Sequence, residues 1–592
     1  MRSREAGTAL LRRPGGRAKS APMTSPSSPG KSSLLRPIAI LLLALLAAHA
    51  PMLLNDGLFM DDWWVLKPRP DFVIDIDFLL TGAGHPIFYS YDRFANWTGA
   101  PVVVMVSMAL AGIFLGASCL VLTATRLDLL DRAEAVCFAL IVWTYPGYQL
   151  WAGKANAVYV FSFGLLFVGT WLLTLAFGAR GLQRVLLRIA ATLVFILSFA
   201  LNSTIVLYAF VMLGLFVATW RSGDAAHGFV RRTWRAAWRC ALGYPELVVL
   251  PLAYWGALNV WFKRIGVYAQ HYGAHFPTPG ELVSGWKAFF ATSYWDLVTS
   301  ALKLAIEAPA LLVVAALLVG AALLLLRSEP EPTTAKDATS ARYAVAAPFL
   351  LAIVLFLALS FPYLVAGLRP SSLHFYESRH LLMFGLPSAL VFLGLKRWSQ
   401  HLIGSKAALA VVLGLGSVLS IGLLWNTYIF MQARTLKLEA LASNLAARAQ
   451  PAATVFALDD GFVDYPSRHV PFGLAEVTGM LRLAWGNQPF FGFALRAERP
   501  TILQEMEVAR TSPGSAFTHL DPSGPQATIS FQPGPGAVPN QALVRKYYGC
   551  RLLLRCDVSQ LLQQLADVTI KPGPIAGILP PDRTKTDTAP SR

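Results

Sequence analysis

The stretch "PIAILLLALLAAHAPMLLNDGLFMDDWW", residues 37–64, sets an apolar run almost directly against two adjacent carboxylates, Asp61 and Asp62. The run at 37–54 approaches the ~20 apolar residues that cross a bilayer as a helix, and "APALLVVAALLVGAALLLL" at 308–326 is another of the same kind. Across the 592 residues, 55% are hydrophobic and 14% charged, with a mean hydropathy of +0.51. Soluble globular proteins carry about 25% charged residues, so the chain as a whole is much too apolar to be one. Backbone groups in lipid have to be satisfied within the span, and barrel strands alternate in polarity. The runs here do not alternate, so they are helices. The expected fold is a polytopic α-helical membrane protein with about eleven spans, at 37–54, 100–122, 133–149, 157–177, 185–201, 203–220, 245–262, 302–326, 344–366, 380–395 and 407–431.

A net charge of +17 could suggest nucleic acid, but its location argues otherwise. Residues 1–36 hold eight Lys/Arg against one acid, and residues 221–243 hold five Arg against one Asp. With Arg180, Arg184 and Arg188, and Lys396, Arg397 and Lys406, these short flanks account for the whole excess. That is the positive-inside pattern, and no nucleic-acid partner is expected. Counting spans from a basic N-terminus placed inside puts all four segments inside. An odd number of spans then sends the C-terminus outside. The "NST" at 202–204 separates two spans, since merging them would break this pattern. "LLLALLAAHA" ends in small residues that would allow cleavage after Ala50, but the apolar run continues through "PMLL", so it is read as a retained anchor.

The domain organisation follows: a basic, disordered cytoplasmic N-terminus at 1–36, a membrane domain at 37–431, a periplasmic α/β domain at 432–570 and a disordered tail at 571–592. "QARTLKLEALASNLAARAQ" has helical period, while "ATVFAL", "ATISF" and "LVRKYYGCRLLLRC" read as strands. Cys550 and Cys556 lie in the last of these. An outer compartment permits a disulfide between them, and two ordinary strand cysteines are the other reading.

With sides assigned, the outer surface gathers chemistry. The loop at 55–99 carries seven Asp against three Lys/Arg, in a protein that is basic overall. It includes Asp61, Asp62, Trp63 and, in "GAGHPIFYSYDRF", His85 and Tyr89. Other outer loops supply Lys154; Lys263 and Arg264 with His271 and His275; and, in "GLRPSSLHFYESRHLLMFGLP", Arg379 and His380. Charged groups at membrane depth are costly and mark function or pairing. Simpler roles exist: one Asp could cap the short helix "DWWVL", and Arg379 could pair with Glu377 or snorkel to headgroups. Neither role needs both carboxylates. His271 and His275, four apart, are too few for a metal site. Asp459 and Asp460 in "LDDGFVDYPSRH" suit a turn. There is no P-loop, dinucleotide fingerprint, zinc-type cysteine set or G-x-S-x-G.

The order of these features resembles the GT-C superfamily of integral-membrane glycosyltransferases, which includes protein O-mannosyltransferases and the aminoarabinose transferases of lipid A. "MDDWW" stands where members carry Asp-Glu or Asp-Asp, "GHPIFY" approximates "HPP-L-Y", and "ESRHLLMFGLP" approximates an Arg-Tyr followed by Leu-Pro. Asp62, Ile87 and His380 depart from the commoner Glu, Pro and Tyr. The resemblance covers roughly residues 37–432. It implies a glycosyltransferase of the bacterial inner membrane that moves a sugar from a polyprenyl-phosphate donor to an envelope glycan, lipid or protein acceptor on the periplasmic side. Asp61 would be the base, with Asp62 positioning it or binding the acceptor or a cation. Arg379, with His380, Lys154, Lys263 and Arg264, would hold the donor phosphate; His85, Tyr89 and Trp63 would contact substrate. No cofactor is expected; a divalent cation is possible but not predicted. Such a reaction needs a base for the acceptor hydroxyl and cations for a leaving phosphate that gains charge. Two other readings remain: an O-antigen-ligase-like or polymerase-like enzyme, which has no special need for the acidic pair, and a lipid-linked glycan transporter or flippase. The latter would favour charged residues buried mid-span and internal repeats.

Overall fold

The computed structural model describes residues 32–68, 87, 90–146, 153–201, 204–221, 228–262, 276–326, 338–370, 373, 376–462, 472–495, 502–503, 506–507, 510, 517, 520–521, 523–554 and 556–575. Among these, eight helices are long and apolar enough to cross a membrane: Leu34–Leu54, Pro101–Arg126, Ala157–Gly178, Gly181–Leu201, Pro309–Leu326, Val345–Val365, Ser378–Ile403 and Ser405–Ala446. Each matches an expected span. The other three of the eleven are shorter helices: Arg132–Trp143, Ile205–Arg221 and Pro245–Trp261. The first has only 12 residues, about 18 Å at 1.5 Å per residue, against a ~30 Å hydrocarbon core. Its apolar residues are buried on every side by protein. Apolarity all round marks burial without saying whether protein or lipid provides it. The apolar "NST"-separated pair does form two helices, Gly181–Leu201 and Ile205–Arg221.

Small residues set the packing. At the crossing of Pro101–Arg126 with Ala157–Gly178, a Cβ on Gly112 would meet the Phe161 backbone at 2.6 Å, and one on Gly164 would strike the Gly112 carbonyl. The two helices touch backbone to backbone, as small residues permit in membranes. A buried polar knot ties three elements together. His49 Nδ1 lies 2.7 Å from the Tyr428 hydroxyl, and its Nε2 lies 2.9 Å from the Trp143 carbonyl. A buried ion pair joins Lys396 to Glu134 at 2.8 Å, and Glu134 also closes the capping box that begins the helix Arg132–Trp143.

The last long helix does not stop at residue 431. It continues to Ala446 and carries the C-terminal domain on its end. The sheet of that domain has the order β2-β1-β3-β4: Phe491–Ala494, Val455–Asp460, Gln526–Pro533 and Ala566–Pro572. β1 is parallel to both β2 and β3, and β4 runs antiparallel to β3. The helix Leu474–Trp485 makes the crossover from β1 to β2. The strands at "ATVFAL" and "ATISF" are therefore present. "LVRKYYGCRLLLRC" instead begins in the helix Asn540–Leu553. Its buried residues Leu543, Val544, Tyr547 and Cys550 recur at helical spacing, which outweighs the strand preference of its Val and Tyr. Cys550 and Cys556 form a disulfide. Asp460 closes β1 with a turn, its Oδ1 accepting from the Phe462 N–H at 3.0 Å.

The domain is locked to the long helix by a buried bidentate pair. Arg434 Nε and Nη2 donate to the two Glu476 oxygens at 2.9 and 2.5 Å, and Glu476 also accepts from the Gly473 N–H. Phe472 covers the guanidinium at 4.6 Å.

Candidate functional site

The acidic pair lies where the segment after the first helix meets the C-terminal domain. Met60 sits at φ +46°, a left-handed conformation uncommon outside glycine. Its sulfur packs against Gly473. From this turn the short helix Asp62–Val65 starts, with Asp61 at its N-cap position but making no side-chain capping bond. Consecutive helical side chains diverge by about 100°, so the two carboxylates go to different places.

Asp62 goes inward and is fully buried. Its Oδ2 accepts from the backbone N–H of Phe59 at 3.0 Å and of Lys154 at 3.1 Å, and its Oδ1 from that of Ala155 at 2.7 Å. It clasps the 153–156 segment onto the first loop. Lys154 stands beside it, also buried, donating its ammonium to the Gly57 carbonyl and lying 4.6 Å from the Phe59 ring. Burial pushes the Asp62 carboxyl up to about 6, against the Lys154 charge and the three N–H groups. The same burial brings Lys154 down to about 8, opposed by Asp62 and Asp56. Desolvation thus outweighs attraction on both partners.

Asp61 goes outward, with half of its side chain exposed, and its Oδ2 lies 3.4 Å from Arg379 Nη1. Arg379 is three-quarters buried, in the 3-10 stretch Tyr376–Phe384 that precedes the helix Gly385–Ile403. That junction is pressed against the helix Arg132–Trp143, since a Cβ on Gly385 would strike the Val142 carbonyl. His380, next to it, is buried against Tyr363 with ring centroids 4.7 Å apart, and Arg379 Nε approaches its Nε2 at 3.5 Å.

The structure therefore brings Asp61, Asp62, Lys154, Arg379 and His380 into one region. Trp63 is placed otherwise. It is buried, donates its indole N–H to the Leu58 carbonyl at 3.0 Å, and packs its ring on Gly479 of the C-terminal domain, so it helps dock that domain. His85, Tyr89, Lys263 and Arg264, and likewise His271 and His275, lie outside the described residues. Sequence reasoning did not single out Asp92. It is buried in the helix Ser90–Trp97 and both of its oxygens lack a hydrogen-bond partner. Burial first, and then the Asp62 charge, push its carboxyl well above the usual range. A lone Asp in a polar loop gave no signal for this. Among the described residues, no three His, Cys, Asp or Glu gather as they would to hold a metal ion.

The class these features define is a polytopic α-helical protein with a half-exposed acidic side chain and a largely buried basic one held together at the foot of an α/β domain. No protein-family model matches the chain, and no curated protein matches its sequence. Among solved structures it is similar to the crystal structure of ArnT from Cupriavidus metallidurans bound to undecaprenyl phosphate. That match has 13% identity and a TM-score of 0.38 over 93% of this chain and 100% of that one. The apo structure of the same protein matches at 12% identity and a TM-score of 0.31, over 91% and 97% respectively.

Proposed function

We propose that the chain is a membrane glycosyltransferase that takes a sugar from a polyprenyl-phosphate donor and passes it to an envelope glycan, lipid or protein acceptor on the periplasmic side of the bacterial inner membrane. The observation that carries the reading is the Asp61–Arg379 pair, drawn from positions 318 apart in sequence and left partly open. An acceptor hydroxyl attacks the anomeric carbon, and Asp61 takes its proton. The bond from that carbon to the phosphate oxygen breaks, and its electron pair leaves with the lipid phosphate, which passes from diester to monoester and gains a negative charge. A guanidinium suits that group through its fork of donors. With Arg379 engaged by phosphate, Asp61 is released to the acceptor. Asp62 is the positioning residue, since it fixes the turn that projects Asp61.

Support also comes from the order of short motifs along the chain and from the undecaprenyl phosphate named for the similar ArnT structure. The test offers purified wild type and Asp61→Asn a panel of undecaprenyl-phosphate sugars and follows release of undecaprenyl phosphate. Turnover by the wild type that Asp61→Asn abolishes supports the assignment. Undiminished turnover by the variant refutes it.

A further inference from the structure

The C-terminal domain carries an apolar tip that nothing among the described residues covers. The helix Asn540–Leu553 ends in Leu552 and Leu553, each 60% exposed, followed by Leu554 at 88%. Leu554 turns the chain at φ +51°, and the Cys550–Cys556 disulfide closes the loop around the three leucines, with Cα atoms 4.6 Å apart. Cys550 is buried, so the base of the loop is anchored in the domain while its tip projects. Three consecutive exposed leucines held out on a cross-linked loop are costly in water. Each would be stabilised by burial.

Two contacts fix the height of this tip. Arg551, immediately before the leucines, reaches Asp56 at 3.4 Å, and Asp56 lies just beyond the end of the first helix at Leu54. Tyr548 donates to Gln432 Oε1 at 3.1 Å, and Gln432 follows "YIFM", residues 428–431 of the last long helix, and opens its more polar end, with Arg434 and Lys437 beyond it. Asp56 thus ties the tip to the end of the first spanning helix, and Gln432 ties it to the last one. Leu53 and Leu54, which end the first helix two residues before Asp56, are themselves 53% and 44% exposed.

We propose that Leu552–Leu554 form a disulfide-closed loop that dips into the leaflet at which the first and last long helices end. It would seat the C-terminal domain on the bilayer surface at the level of Asp61 and Arg379. Arg551 sits at headgroup height with its stem along the apolar surface, as long cations do at interfaces, and the leucines enter the acyl-chain boundary. The inference stands on the membrane reading and is independent of the sugar-transfer reading.

The test places a photo-crosslinking p-benzoylphenylalanine at Leu554 of the full chain. The protein is reconstituted in nanodiscs of phosphatidylethanolamine and phosphatidylglycerol only, and lipid adducts are counted by mass spectrometry. Leu503, an apolar residue of the same domain that is 37% exposed, carries the same probe as control. At least ten-fold more phospholipid adduct at position 554 than at position 503 is expected. Equal labelling at both positions, or none at 554, overturns the proposal. So does labelling at 554 that requires an added polyprenyl lipid or acceptor lipid, since the loop would then serve a substrate and not the bilayer.

Discussion

Adjacent carboxylates with opposite surroundings should separate stability from activity. Asp62 accepts three backbone N–H groups in a fully buried position. Asp62→Ala leaves all three donors unmet, and each unsatisfied buried donor costs about 1–3 kcal/mol, so at least ~3 kcal/mol should be lost. In Asp62→Asn the amide oxygen can stand in place of Oδ2 and keep Phe59 and Lys154. Its NH2 would then face the Ala155 N–H, donor against donor, at the present 2.7 Å. That costs one hydrogen bond, about 1–3 kcal/mol. Asp61 differs: its side chain is half exposed and its contact with Arg379 is 3.4 Å long, a pair worth ~0–1 kcal/mol. Thermal unfolding in detergent should therefore rank wild type and Asp61→Asn together, Asp62→Asn below them and Asp62→Ala lowest. Donor turnover by the same samples should fall ~10²–10⁴-fold in Asp61→Asn, the range for loss of a general base. If Asp62→Ala unfolds no earlier than wild type, the clasp is not holding the loops. If Asp62→Asn keeps its unfolding temperature but loses turnover while Asp61→Asn keeps it, the two roles are reversed.

Arg379→Lys retains the charge but not the bidentate fork, so turnover should drop by at least ~10-fold while the unfolding temperature is unchanged; steady-state kinetics on an active donor check this. Arg434→Ala leaves the Glu476 carboxylate buried without its partner, a loss of about 3–5 kcal/mol, read as earlier unfolding and faster proteolysis at the junction with the C-terminal domain. Asp92→Asn should stabilise the protein at neutral and higher pH. The native Asp92 keeps its proton above the usual carboxylate range, whereas the unfolded chain releases it near pH ~3.9. The unfolded state therefore binds fewer protons in that window, and stability falls as pH rises through it towards the folded value. The variant removes that slope, so its advantage in unfolding temperature should grow between pH 5 and pH 8 (about the span from the unfolded value upward). A constant difference across that range would count against the burial argument.

The spans were legible because continuous apolarity is the strongest signal a chain carries, and each of the eight long helices coincides with an expected one. Apolarity is less informative where it has more than one cause. The expected span at 133–149 corresponds to the shorter helix Arg132–Trp143, which protein surrounds, and hydropathy cannot tell protein neighbours from lipid ones. The strand expected at residues 543–556 is a helix as far as Leu553: Val544, Tyr547 and Tyr548 favour strand when read one by one. The burial of Leu543, Val544, Tyr547 and Cys550 on one face shows that spacing carried the information instead.

The chemistry of the site was partly legible for a related reason. Two adjacent Asp residues just past a membrane span announce an unusual demand, but composition cannot say which one meets it. The division is made by backbone geometry and by a segment some 90 residues away. Met60 enters the left-handed region, and the N–H groups of Lys154 and Ala155 capture one carboxylate. Once Asp62 is captured, the helical offset between neighbours directs Asp61 to the open side, where Arg379 waits on a 3-10 turn pinned by Gly385. Lys154 followed the same logic. As a cation in an outer loop it looked like a phosphate ligand, yet its ammonium is buried against Gly57 and Phe59, and phosphate could reach it only if the clasp opened. Among the described cations named for the phosphate, Arg379 is therefore the more open one, and this is why Arg379→Lys, more than any change at Lys154, should separate a site that binds lipid phosphate from a pair that merely braces the fold.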